Sequence, residues 1–213
     1  MTDRTWAPAD HLIGEIDKAI KILAAPARSA RATPGATDGK PVLNARERLQ
    51  SRRLMRVNHA GEVAAQALYQ GQALTARDPR VAQAMREAAA EERDHLAWCE
   101  ERLRELNGRS SVLNPLWYFG SFAIGALAGA CGDRASLGFI AETEKQVEAH
   151  LRAHLDRLPV ADHRSRGIVG QMTHDEIGHG AQAASLGAEE LPRLLRWAMR
   201  LTSRVMTGGS YWL

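Results

Sequence analysis

The sequence has only two cysteines, Cys99 and Cys131, and neither belongs to a CxxC pair. This shortage excludes a disulfide framework, a zinc ribbon and a rubredoxin-type iron site. Aromatic residues make up only 5% of the chain, and no segment alternates apolar and polar residues as a half-buried strand does. The rest is rich in alanine and periodic in the helical sense, so the sequence predicts an all-α fold.

A signal peptide is also missing, because Met1 to Arg4 do not begin a charged-then-apolar leader, and we therefore expect no export. Charge is unevenly distributed. Residues 1–56 carry eleven basic and six acidic residues, whereas residues 57–187 carry thirteen basic and seventeen acidic ones. A nucleic-acid binder concentrates positive charge on its working surface, so the acidic centre indicates bound cations and no nucleic-acid partner.

Two segments are expected. Residues 1–42 combine an amphipathic segment with a linker, Pro26 to Pro41, that is rich in Ala, Gly, Thr and Pro. The apolar stripe of the amphipathic segment is Leu12, Ile13, Ile16, Ile20 and Leu23. Residues 43–213 are expected to form one helical domain. Its helices are predicted over 44–77, 78–106, from 114 onward, 133–158, 162–187 and 191–206.

Two Glu-x-x-His triplets, at residues 92–95 and 176–179, each lie on a predicted helix. Residues three apart share a helix face, so each triplet can hold a metal ion. Glutamates also lie thirty residues before the first triplet and thirty-two before the second, a spacing that brings residues level in an antiparallel hairpin. This pattern predicts the four-helix carboxylate site of di-iron bundles. The candidate ligands are Glu62, Glu92, His95, Glu144, Glu176 and His179.

Carboxylate and imidazole donors favour iron or manganese over zinc, because four glutamates balance two divalent ions and structural zinc prefers thiolates. Other residues of the 133–158 helix leave alternatives open. Glu142 and Glu148 compete with Glu144 as the ligand, and hairpin spacing favours Glu144. His150 and His154 lie four residues apart and are interpreted as partly exposed helix histidines rather than as ligands.

Three further residues are predicted to support the ligands. Asp175 and Glu91 directly precede the two triplets in the sequence. Each could accept the remaining imidazole N–H from the histidine of the opposite hairpin, and Asp175 is the stronger candidate. Tyr69 follows Glu62 by seven residues and shares its helix face. Its phenol could bond to the site or the substrate, or simply pack in the core.

Residues 110–132 form a run of twenty-three uncharged residues. A helix over residues 115–131 would rise only ~25 Å, so we do not expect it to cross a ~30 Å hydrocarbon core. Two interpretations stay open: a buried helix that approaches its neighbour through Gly125 and Gly129, or a helix in a membrane interface.

The last predicted helix has a basic stripe beside a leucine-rich face. The stripe is Arg193, Arg196, Arg200 and Arg204. Such a helix can pack on the bundle as an ordinary surface helix, or it can lie on a membrane with its arginines among anionic headgroups.

At these residues the sequence resembles the demethoxyubiquinone hydroxylase family, the di-iron monooxygenases of ubiquinone biosynthesis. The resemblance spans about residues 43–206. The segments that carry it are Arg56-Val-Asn-His-Ala-Gly-Glu62, the interval from Glu62 to Tyr69, Glu91-Glu-Arg-Asp-His95, Leu116-Trp117 with the Gly/Ala-rich run behind it, Glu144, and Asp175-Glu-Ile-Gly-His179.

The resemblance implies a ferritin-like four-helix bundle with a di-iron carboxylate site and additional amphipathic and apolar helices. It assigns the six candidate ligands to two iron ions, with Glu92 and Glu176 bridging both. It also implies O2 as co-substrate, an external reductant, a polyprenylated methoxy-benzoquinol substrate and a peripheral position on the cytoplasmic side of the cell membrane. One departure is His150-Leu151, where some relatives have His-Tyr, so no redox role for a tyrosine is carried over.

Competing functions use the same ligands. A rubrerythrin-like peroxide reductase is disfavoured by the missing CxxC pair, and an iron-storage shell by the uncharged run. A non-enzymatic membrane-interaction protein leaves the two triplets unexplained. No glycine-rich nucleotide motif follows a strand, so a nicotinamide or flavin is expected either to come from a partner or to bind unconventionally. The expected partners are the electron donor and other ubiquinone-biosynthesis proteins.

Overall fold

The computed structural model describes residues 8–36, 39 and 42–213, with side chains from residue 13 onward. Regular structure in these ranges is entirely helical, which confirms the all-α prediction. The helices are α1 (Pro8–Ala24), α2 (Ala45–Thr75), α3 (Pro79–Glu105), α4 (Asn114–Ala130), α5 (Asp133–Arg157), α6 (His163–Ser185) and α7 (Arg193–Trp212). Predictions about residues 1–7, the side chain of Leu12 and the linker end at Pro41 lie outside the described residues.

Local hydrogen bonds set the ends of the first two long helices. The side chain of Asn44 accepts from the backbone N–H of Glu47 at 3.0 Å, and the Glu47 carboxylate accepts in return from the N–H of Asn44 at 2.9 Å. This capping box starts α2. Asp78 caps α3 by accepting from the N–H of Arg80 at 2.8 Å, with Pro79 in the first helical position. The second cap fixes the short turn between α2 and α3.

Four of the helices form a ferritin-like bundle. Helices α2 and α3 pack as one hairpin and α5 and α6 as a second, and the hairpins meet where α3 contacts α6 and α2 contacts α5. The core consists of two apolar clusters. One contains Leu54, Trp98, Leu103, Leu151 and Met172, and the other contains Val81, Met85, Leu137, Ile140 and Ala183. The predicted ligands fall between these clusters along all four helices.

Helix α4 lies against α2 through glycines. A Cβ atom on Gly125 would lie 2.2 Å from the backbone oxygen of Leu68, and one on Gly71 would lie 2.3 Å from the backbone oxygen of Phe122. Only glycine permits so close a backbone approach. The predicted contribution of Gly125 and Gly129 to close helix packing is confirmed, since a Cβ atom on Gly129 would also collide with α2.

The opposite face of α4 is exposed, so this helix is buried on one side only. It contacts α1, and it meets α7 where Nε1 of Trp117 donates to Oγ of Ser210 at 3.0 Å. These three neighbouring helices present an exposed apolar surface that includes Ile13, Ile16, Ile20, Leu116, Phe119, Leu127, Leu194, Trp197, Leu201 and Val205. Among the described residues, no helix combines the length and the apolar character needed to cross a membrane.

Helix α7 is longer than predicted. Its predicted end is Met206, whereas the structure continues the helix to Trp212. The bond between Trp117 and Ser210 holds the additional turn, and the guanidinium of Arg53 lies 4.2 Å from the ring centre of Trp212. These tertiary contacts have no local sequence signal.

Replacing Gly125 by alanine is expected to destabilise the fold by ~1–3 kcal/mol, the usual cost of overpacking, because the new methyl group collides with the backbone of α2. Gly120→Ala is the matched control on the same helix. A Cβ atom there has no neighbour within 4 Å, so it should be neutral or stabilise by up to ~1 kcal/mol. Denaturant unfolding measures both, and equal stability of the two variants would contradict the close packing.

Candidate metal centre

The six predicted ligands lie together at the middle of the bundle, and all are buried. Helix α2 provides one glutamate, α5 provides one, and α3 and α6 each provide one glutamate and one histidine. The ligands are Glu62, Glu92, His95, Glu144, Glu176 and His179. The one-turn spacing within each triplet directs its carboxylate and imidazole toward the same point between the helices.

Their ligand atoms form two groups, and within each group the atoms lie no more than 4.8 Å apart. One group is Glu62, Glu92, His95 and Glu176, and the other is Glu144, Glu176 and His179. Glu176 therefore belongs to both. Glu92 also spans the centre, because its Oε2 lies 3.0 Å from Nδ1 of His95 and its Oε1 lies 3.1 Å from Nδ1 of His179. Both glutamates occupy positions from which a carboxylate can bridge two ions.

Each imidazole is held by an acid of the opposite hairpin. Nε2 of His95 lies 2.9 Å from Oδ2 of Asp175, and Nε2 of His179 lies 3.1 Å from Oε2 of Glu91. Because an ionised carboxylate only accepts hydrogen bonds, each Nε2 carries the proton and donates it. With Nε2 protonated, Nδ1 is the nitrogen that each imidazole can offer to a metal ion. Despite burial, and without an ion, hydrogen bonds and charges of the surrounding carboxylates raise the pKa of His95 and His179 well above the ordinary value.

Tyr69 lies beside the second group. Its hydroxyl donates to Oε1 of Glu144, and its ring meets that of His179 edge to face, with 6.4 Å between ring centroids. Burial, together with the charges of Glu144 and Glu92, raises the pKa of Tyr69 well above its ordinary value. The residue therefore remains a neutral phenol that donates to the carboxylate.

The two alternatives to Glu144 lie away from the centre. Oε1 of Glu142 lies 3.7 Å from the guanidinium of Arg200, and Glu148 forms an ion pair with Arg152 at 2.8 Å. On this helix only Glu144 points at the other ligands.

The electrostatics of the cluster call for cations. Four carboxylates are buried together, and no lysine or arginine of the described chain forms an ion pair with any of them. Burial, followed by the charge of Glu92, raises the pKa of Glu62 well above its ordinary value. Oε2 of Glu62 also has no hydrogen-bonding partner among the described residues. Two divalent ions would balance this charge, so the donor set is compatible with a pair of bound metal ions.

The prediction that His154 is partly exposed is wrong. This residue is only 2% exposed, and its Nδ1 lies 2.7 Å from Oδ1 of Asn58. His150 is half-buried and lies against it, with ring centroids 3.9 Å apart, and burial lowers the pKa of His150 to about 4. Asn58 precedes Glu62 by one helical turn and therefore lies on the inner face of α2.

A cleft between α2, α5 and α7 leads to the carboxylates. Its open volume is about 50 Å³, so the passage to the carboxylates is narrow. The inner wall contains Glu62, Tyr69, Glu144 and Glu176. The apolar wall contains Val57, Leu68, Val147 and Leu151, and the α7 side contains Ser203, Met206 and Thr207. His150 also lines the cleft.

Comparison with known proteins gives a match to the family described as "Ubiquinone biosynthesis protein COQ7" over residues 49–210. The chain belongs to the COQ7 family. Its relatives include the 3-demethoxyubiquinol 3-hydroxylase of Chromobacterium violaceum, 56% identical over 202 residues and covering 95% of this chain and 98% of the relative. The enzyme of the same name from Bordetella parapertussis is 55% identical over 211 residues, covering 99% and 95%. That from Dechloromonas aromatica is 56% identical over 202 residues, covering 95% and 98%.

The interval matched to the COQ7 family contains both triplets and all of the cleft. The matched interval excludes α1 and the segment after it, which together correspond to the predicted N-terminal segment of residues 1–42. The boundary at residue 43 stays a prediction, because helix packing alone does not define a separate domain.

Asp175→Ala is expected to retain the fold and still bind metal, but with iron affinity or turnover reduced ~10–100-fold, since His95 loses the acceptor that orients it. Asp156→Ala, at an exposed position of α5, is the charge-matched control. Iron content after dialysis against graded chelator measures the affinity. Unchanged retention and turnover would remove Asp175 from the site.

Proposed function

We propose that this chain hydroxylates the ring of a polyprenylated methoxy-benzoquinol, demethoxyubiquinol, with O2 at a pair of iron ions. It is a hydroxylating oxidoreductase of ubiquinone biosynthesis, in keeping with its family and with relatives that share more than half of its residues. The observation that carries the proposal is the inner end of the cleft. There an apolar passage ends at two adjoining groups of metal-ligand atoms.

When bound, the iron pair supplies the electrons and the coordination positions that activate O2 for ring hydroxylation. One oxygen atom enters the ring and the other leaves as water, so two electrons from an external reductant are needed in each cycle. A partner that supplies them is part of the proposal.

The side chains of this chain orient the reactants. Asp175 and Glu91 fix the two imidazoles, and Tyr69 holds the Glu144 carboxylate through its hydroxyl. The apolar wall of the cleft excludes water from the quinol ring. His150, uncharged at neutral pH, is placed to accept a hydrogen bond from a ring hydroxyl.

The mouth of the cleft supports a peripheral position on the membrane. Helix α7 forms one side of the mouth and carries exposed leucines together with its arginines. The exposed apolar surface of α1, α4 and α7 continues from this point. In this proposal the surface rests on the cytoplasmic leaflet, the prenyl tail stays among the lipids, and only the quinol ring enters the cleft.

The test is lipid extraction from cells that lack this protein. Accumulation of demethoxyubiquinone and loss of ubiquinone are expected, with both reversed by the unaltered gene. Glu148→Ala should also restore ubiquinone, because this carboxylate pairs with Arg152 outside the cleft, whereas Glu144→Ala should not. Normal ubiquinone in the deletion strain would contradict the proposal.

A further inference from the structure

Part of the predicted linker is fastened to the bundle. Residues 27–33, called the strap here, lie along α3 and donate a series of hydrogen bonds to its carboxylates. The donors are the N–H of Ala27 to Glu100 at 2.8 Å, Oγ of Ser29 and the N–H of Ala30 to Asp94 at 3.0 and 2.7 Å, and Oγ1 of Thr33 to Glu101 at 2.6 Å. The strap therefore has a defined path instead of behaving as a flexible connection.

Arg31 is the residue of the strap that reaches the second hairpin. Its Nε donates to Oδ2 of Asp94 at 2.7 Å, and its Nη1 donates to Oδ2 of Asp175 at 2.8 Å. The guanidinium also covers the ring of Trp98, 4.7 Å from its centre. A planar guanidinium can serve two carboxylates in fixed directions at once, which an ammonium group does less well.

The oxygen that Arg31 contacts is the one that orients a candidate ligand. Oδ2 of Asp175 accepts both from Arg31 and from Nε2 of His95. Nε2 of Gln171 donates to the other oxygen, Oδ1, at 2.8 Å. Both oxygens of this carboxylate are thus occupied, and its plane is fixed against the imidazole.

The other half of the centre has no such support. Glu91 accepts from His179 in the equivalent position, but its side chain is 52% exposed, against 9% for Asp175. No lysine or arginine in the described part of the chain forms an ion pair with Glu91. One imidazole is therefore backed by a buried carboxylate paired with a cation, and the other by a solvated carboxylate alone.

We propose that Arg31 is a positioning residue for the metal centre, which holds Asp175 against His95 and makes the His95 half differ from the His179 half. The inference rests on the proposed function only in requiring that two metal ions bind. It assigns a role to a residue outside the interval 49–210 that the family comparison matches.

Cobalt(II) is the probe, since its visible ligand-field bands report the surroundings of each bound ion without any turnover. The full-length protein is titrated with Co²⁺ after removal of metal. In Arg31→Gln, one of the two Co²⁺ ions should bind about 10-fold more weakly, and the visible bands of that ion should shift. Loss of a hydrogen-bonding partner behind a metal ligand costs ~10–100-fold in affinity, and we expect the lower end of this range. Glu91→Gln should affect the other ion.

Two controls separate positioning from general effects. Arg28→Gln removes the same charge from an exposed position three residues away. Thr33→Val removes a different anchor of the strap, its bond to Glu101. Neither should change the Co²⁺ bands. Arg31→Lys keeps the positive charge and is the second variant to measure if Arg31→Gln does not fold. It should weaken binding of the same Co²⁺ ion, but by less than Arg31→Gln does.

The outcomes are distinct. Selective weakening of one ion in Arg31→Gln, absent from both controls, supports the proposal. Unchanged binding, equal weakening of both ions, or the same loss in Thr33→Val would overturn it, as would an unaltered protein that binds fewer than two Co²⁺. A protein that binds two Co²⁺ with this selectivity but does not hydroxylate the quinol would overturn only the proposed function.

Discussion

Glu176→Ala is expected to lose most of its iron, whereas the unaltered protein should hold about two ions per chain. Glu176 belongs to both groups of ligand atoms, so its removal takes a donor from each ion. It also leaves two divalent cations facing only three buried glutamates. Glu92→Ala should behave in the same way, because its two oxygens reach both imidazoles. Iron is measured by elemental analysis after anaerobic loading.

Two further variants calibrate this result. Glu144→Ala should lose mainly one ion, since Glu144 contributes to only one group, and Glu148→Ala should lose none, because it pairs with Arg152 at the surface. Full iron retention in Glu176→Ala would contradict the bridging position. Zinc as the sole metal after anaerobic iron loading would contradict the iron assignment itself.

Removing three arginines from α7 is expected to release the protein from anionic vesicles. Each basic residue at such a surface contributes ~1 kcal/mol, so the combined change of Arg193, Arg200 and Arg204 to glutamine should weaken binding ~100-fold. Arg196 is left in place because its guanidinium lies 2.8 Å from Glu190 and its side chain is only 24% exposed, whereas Arg200 lies 3.7 Å from Glu142 and is 51% exposed. Vesicle sedimentation measures the binding.

The controls for this prediction are internal. Arg196→Gln should have a smaller effect than any of the other three changes, and raising the salt concentration should mimic the triple variant because both weaken the same screened attraction. Iron content should stay constant, since the metal centre is buried. Complete sedimentation of the triple variant would show that α7 only packs on the bundle, leaving α1 and α4 as the membrane contact.

Features with local or periodic signals were predictable from the sequence. The capping residues Asn44 and Asp78 are local signals at the starts of α2 and α3. The interval between Glu62 and Glu92 follows from two helices joined by a short turn. In such a hairpin the distance along the chain determines which residues lie level. The glycine face of α4 was predictable for the same reason, since its period is that of one helix.

Features that depend on distant segments were not predictable. Arg31 and Asp175 are 144 residues apart in the sequence. The composition of a linker does not indicate which face of the bundle the linker will contact. The burial of His154 escaped notice because a histidine pair four residues apart looks the same on an inner or an outer helix face. Its partner, Asn58, lies 96 residues away.

The crossed hydrogen bonds between the hairpins also couple metal binding to assembly of the bundle. The acceptor for His95 lies 80 residues along the chain, and that for His179 lies 88 residues away. Neither hairpin can orient its own imidazole, and contacts this distant form only after the entropy of closing a long loop has been overcome. The fully supported centre therefore exists only in the docked bundle, and bound metal would stabilise that bundle over separated hairpins.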